Sequence, residues 1–163
     1  MTAMRRVVDT NVAVVANGRN TNASLDCRQR AVEFIVEFLQ RGRVILDRGG
    51  EIQAEYHKRL NPRGQPGVGD RFYLVVLQSS LKRVERINLP KGPATDEFVD
   101  FPDDTRLANF DRNDRKFAAA ARKAGVPVAN AADTDWLDHE TALRQNGVQI
   151  QFICGMDRAV WFE

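Results

Sequence analysis

The sequence predicts an α/β protein, a three-layer α/β/α sandwich around a mostly parallel central sheet. Three observations carry that expectation. Short aliphatic runs recur along the 163 residues, among them Val7-Val8, Val44-Ile45-Leu46 and Val126 to Ala129. Segments with apolar residues at helical spacing lie between them. Turn formers such as Gly42, Gly49-Gly50, Gly125 and Gly147 separate the units. Strand and helix in alternation imply crossover connections and parallel pairing.

The elements follow in order. Val7-Val8 runs into Asp9-Thr10-Asn11, read as a buried strand whose C-terminal end delivers a carboxylate. Residues 12–26 are polar and Asn-rich and are expected to form a loop with at most a short helical piece. From about Asp26 to Gln40, Val32, Ile35, Val36 and Leu39 form a helical stripe that Gly42 ends. Arg43 to Asp47 is a second strand. A helix from about Glu51 to Leu60 follows, with Glu51 and Glu55 close together on one face.

Residues 61–69 form a loop that lacks the Lys-Ser/Thr ending of a phosphate-binding loop. A helix is expected over about 70–82, capped by Asp70, then a strand from Val84 to Leu89. Residues 90–110 are Pro- and Asp-rich and irregular. The next helix starts at Asp111 or Asn113 and runs to Lys123. Its stripe of Asp114, Phe117, Ala118 and Ala121 puts a carboxylate in line with the buried face. Val126 to Ala129 is a strand whose tip carries Asp133 and Asp135. A helix over about 134–146 and an alternating strand, Val148 to Phe152, complete the chain.

The length suits a single domain, 1–163, with a sizeable core. No apolar run reaches the length of a membrane span, and the opening residues lack a signal-peptide apolar region. Cys27 and Cys154 could pair in principle, but two cysteines with no framework spacing fit a reduced, cytoplasmic protein better. The net charge of +2 hides an asymmetry. Residues 1–91 hold sixteen of the 24 basic residues and nine of the 22 acidic ones, and residues 92–163 hold eight and thirteen. A basic lobe beside an acidic one suits an anionic polymer held next to a metal.

In such a sheet the strand tips supply Asp9 and Asp133, and the helix starts supply Glu55 and Asp114. Four carboxylates at one sheet edge repel each other and call for a cation. All-oxygen ligands favour Mg²⁺ or Mn²⁺ over zinc. The two histidines, His57 and His139, read as helix-surface residues, and no Ser-His-acid arrangement is evident.

Val7-Val8-Asp9-Thr10-Asn11, Glu55-Tyr56, Asp114-Arg-Lys-Phe-Ala-Ala-Ala and Asp133-Thr-Asp135-Trp136, in that order, resemble the PIN-domain nucleases over almost the whole chain. The resemblance implies Mg²⁺- or Mn²⁺-dependent endoribonuclease activity. It also implies the role of a VapC-like toxin held by a cognate antitoxin protein. Carried over, the catalytic and metal-binding acids are Asp9, Glu55, Asp114 and Asp133, with Asp135 and Asp111 as further oxygens. Asn11 is a polar helper, and Arg112, Arg115 and Lys116 are candidate contacts to RNA phosphates. Asn130-Ala131-Ala132 stands where the family usually has Thr or Ser before the last acidic pair, so Asp133 and Asp135 remain alternatives as primary ligand. The oligomeric state, a homodimer included, is open. Three alternatives remain: a catalytically inactive PIN-like RNA-binding module, a metal-dependent phosphatase and a phospho-receiver. A haloacid-dehalogenase-type phosphatase wants an Asp where Asn11 stands. A phospho-receiver wants an acidic pair ahead of its acceptor, which is not found.

Overall fold

A computed structural model of the chain describes residues 3–94 and 96–163. Five parallel strands form the central sheet: β1 (Met4–Val8), β2 (Gly42–Asp47), β3 (Val84–Ile87), β4 (Val128–Asn130) and β5 (Ile150–Phe152). Their order is β3-β2-β1-β4-β5. Among the described residues seven α-helices flank the sheet: α1 (Thr10–Asn17), α2 (Leu25–Arg41), α3 (Glu51–Arg59), α4 (Val68–Gln78), α5 (Arg115–Ala124), α6 (Thr134–Asp138) and α7 (Glu140–Gln145). The result is the expected three-layer sandwich.

The chain starts in the middle of its own sheet. From β1 it builds outward through β2 and β3, then crosses back to add β4 on the other side of β1. Val7 pairs with Val128 and Val8 with Ala129 at that junction. All four are fully buried, which explains why these strands read as unbroken apolar runs. The strand order reverses between β1 and β4, the place where open α/β sheets form a crevice beyond their strand ends.

Residues 10–17 correct the sequence reading. They form α1 directly after β1. Valine is a weak helix former and asparagine a frequent turn residue, so local propensity favoured a loop. Burial decides instead: Val12, Ala13, Val14, Val15 and Ala16 are all interior. α1 packs against α2 and α4. At Gly69 in α4 a Cβ would lie 1.9 Å from the Ala13 carbonyl oxygen, so only glycine permits this approach. The helix expected over 134–146 is two helices, α6 and α7, broken at His139.

The two cysteines also depart from expectation. Cys27 in α2 and Cys154 after β5 form a disulfide across 127 residues of sequence. A pairing that topology alone creates leaves no spacing pattern to read. The cytoplasmic expectation rested on free thiols and loses that support. No helix among the described residues is long and apolar enough to cross a membrane.

Candidate metal centre

Asp9 follows the last residue of β1 and caps α1. Its Oδ1 accepts from the Asn11 backbone N–H at 3.0 Å. Its Oδ2 accepts from the Trp136 indole Nε1 at 2.6 Å. Both partners are neutral, so neither brings an opposite charge to the buried carboxylate. Asp133 caps α6, accepting from the Asp135 N–H at 3.0 Å. Asp114 stands just ahead of α5, where a 3-10 turn over Arg112–Asp114 enters the helix, and its side chain caps nothing. Its free oxygens face the other two acids. One carboxylate oxygen from each of Asp9, Asp114 and Asp133 lies within 4.8 Å of the others.

Such crowding changes the chemistry of the acids. Burial first, then the charge of Asp133, pushes the Asp9 carboxyl up to about 7. The bonds from Asn11 and Trp136 pull it the other way. Asp114 is pushed further, to about 10, by burial and then by Asp9 and Asp133. Without a cation the cluster therefore retains protons at neutral pH.

The acids line a cleft of about 160 Å³ together with Thr10, Asn11, Glu55, Arg59 and Asp111. Thr10 adds an independent sign of a ligand. It is 4% exposed, and among the described residues its Oγ1 has no hydrogen-bond partner. A buried hydroxyl without a partner is uncommon and points to an oxygen-binding guest. Three carboxylate oxygens make a hard donor set that could hold a metal ion, and Thr10 lines the same cleft.

The other sequence-derived candidates separate. Glu55 lines the cleft but falls outside the triad. Its Oε2 lies 3.6 Å from the Lys116 Nζ and 3.9 Å from the Lys58 Nζ. Lys116 is buried, and its ammonium also donates to the Asn113 carbonyl at 2.6 Å. Asp135 faces away from the cleft. It accepts from the Asp111 N–H at 2.8 Å and lies 3.1 Å from the His139 Nδ1. The geometry therefore favours Asp133 over Asp135. Asp111 is a cap at the rim, accepting from the Asn113 N–H. Arg112 pairs with Asp96 at 3.3 Å. Arg115 lies over the Phe101 ring and donates to the Ala108 and Phe110 carbonyls. Neither arginine lines the cleft.

Asn11 has a role the sequence did not show. Its Nδ2 donates to the Asn130 Oδ1 at 2.9 Å, and its Oδ1 accepts from the Ala131 and Ala132 N–H groups. Asn130 is fully buried and in turn holds both backbone polar groups of Asp133. This pair fixes the loop that carries Asp133 against the tip of β1. Thr10, Trp136, Arg59 and Asn130 were missed as site residues. Thr10 and Trp136 stand inside the motifs that carry the resemblance, and Asn130 stands where Thr or Ser was expected, whereas Arg59 carried no sequence signal.

Compared with protein-family models, curated proteins and solved structures, the chain matches none.

Proposed function

We propose that the protein is a Mg²⁺- or Mn²⁺-dependent endoribonuclease of PIN-like type. The convergence of Asp9, Asp114 and Asp133 in a cleft that an unpartnered buried threonine also lines, at the strand-order reversal, carries this reading. The three acids would hold the cation, with the Thr10 hydroxyl beside them. When bound, the cation supplies an activated water and charge stabilisation for in-line displacement at phosphorus. Asp9 is locked by Asn11 and Trp136, so its oxygens are set before any ligand arrives. Asp133 is set differently: Asn130 holds its backbone, and its own Oδ1 accepts from the Asp135 N–H. Glu55, held at the rim by its lysines, is the carboxylate placed to orient a water.

The test is cleavage of single-stranded RNA in Mg²⁺ or Mn²⁺ against EDTA. Loss of cleavage in EDTA is expected. Undiminished cleavage in EDTA, by protein shown free of contaminating ribonuclease, would overturn the metal mechanism. Growth arrest on induction that vanishes with Asp114→Asn would support the toxin role.

A further inference from the structure

We propose that single-stranded RNA runs from the acidic cleft into an adjoining groove, where Arg59 bonds a backbone phosphate and Phe162 stacks a base. The proposal deepens the nuclease reading and rests on it.

The groove, about 400 Å³, shares Asn11 and Arg59 with the acidic cleft, so the two adjoin. Ala132, next to Asp133, forms part of its wall. Asn20 and Asn22 line it further on, and Phe162 closes it. The Asn-rich segment that follows α1, without a part in the metal centre, thus gains one here. None of the groove's lining residues is acidic. An anionic strand is attracted to the acid cluster only through a cation, and the groove's own lining adds no carboxylate beyond it.

Arg59 sits at the passage between the two spaces. It is the last residue of α3 and is exposed. Lys58 and Lys116 share Glu55, but among the described residues no carboxylate pairs with the Arg59 guanidinium. A planar fork with all its donors available suits a phosphate. The far wall is built rather than loose. Phe162 bridges to Ala23 in antiparallel fashion, Ser24 N–H donates to the Trp161 carbonyl at 2.7 Å, and Glu163 N–H donates to the Asn22 carbonyl at 3.3 Å. Trp161 is fully buried beneath them. A half-buried aromatic ring on a fixed support is a stacking platform, and unpaired bases take such platforms without sequence preference. Asn20 holds a left-handed backbone, φ +55°, which asparagine tolerates better than most side chains.

The experiment is fluorescence anisotropy with a fluorescein-labelled single-stranded RNA of about ten nucleotides. It uses the full chain in EDTA, with the RNA confirmed intact on a gel. Phe162→Ala is expected to weaken binding about tenfold, and Phe162→Trp to retain it. Arg59→Ala, at an exposed position, is expected to lower the slope of log affinity against log salt by about 0.7, one phosphate contact. Unchanged affinity and slope in folded Phe162→Ala and Arg59→Ala would overturn the proposal and leave the groove to a protein ligand. Because binding is read without metal or turnover, failure of wild-type cleavage in Mg²⁺ would count against the nuclease reading alone.

Discussion

Trp136 donates its indole N–H to the Oδ2 of Asp9 across 127 positions of sequence, and both groups are buried. The bond stabilises the charged carboxylate against its own desolvation. Trp136→Phe keeps an aromatic body and removes the donor. The Asp9 carboxyl should then titrate higher, and the acid limb of the pH-activity profile should move to higher pH. More Mg²⁺ should be needed for half-maximal activity at neutral pH. Stability should fall by about 1–3 kcal/mol, for lost volume and an unmatched acceptor. A profile that keeps its position would show that the indole packs without tuning the acid.

Asp114→Asn separates function from stability more cleanly than any change at Asp9. Asparagine at position 9 would turn an amide toward the Trp136 donor, whereas Asp114 caps nothing. Activity should drop by about two orders of magnitude or more. In EDTA the variant should melt higher than wild type, by about 0.5–2 kcal/mol, because like-charge crowding is relieved. Added Mg²⁺ should raise the melting temperature of wild type more than that of the variant. Thermal melts in both conditions check this, and a lower melting temperature in EDTA would refute the crowding account.

The metal-free protein should lose stability as pH rises. Asp9 and Asp114 hold folded-state values of about 7 and about 10, above their ordinary 3.8. The folded state therefore binds more protons than the unfolded one between these limits. The contribution is complete below about pH 4 and declines as pH climbs through about 7. Denaturant melts in EDTA from about pH 5 to about pH 8 should show the decline, and saturating Mg²⁺ should flatten it.

Asn11→Ala strands two backbone donors, Ala131 N–H and Ala132 N–H. A loss of about 1–3 kcal/mol is expected. Mg²⁺ affinity should fall with it, because the loop bearing Asp133 is no longer fixed. Calorimetric titration with Mg²⁺ on the folded variant checks this; full wild-type affinity would confine Asn11 to a structural part.

Much of the sheet and the triad was legible because both follow from local rules. Val7-Val8-Asp9 shows apolar residues running into a carboxylate, and Asp114 shares a stripe with Phe117 and Ala121. What escaped depends on distant neighbours. α1 is helical because its valines are buried, against their propensity. Glu55 belongs to the same helix face as expected, but Lys116 draws it aside from the triad. Trp136, which bonds Asp9, and Asn130, which bonds Asn11, lie on another unit of the chain, where no spacing rule reaches.

The strand-order reversal divides the molecule into two leaves meeting at a spine, β3-β2-β1 on one side and β4-β5 on the other. Backbone pairing along the spine is short. Side chains and a covalent bond stitch it: Asn11 to Asn130, Trp136 to Asp9, Arg6 to Gln151, and Cys27 to Cys154. The three acids straddle the same spine, so a bound cation would act as one more stitch. Ligand occupancy and the opening of the two leaves are then one coupled equilibrium. Amide hydrogen exchange at Asp9 and Ala131 would report both.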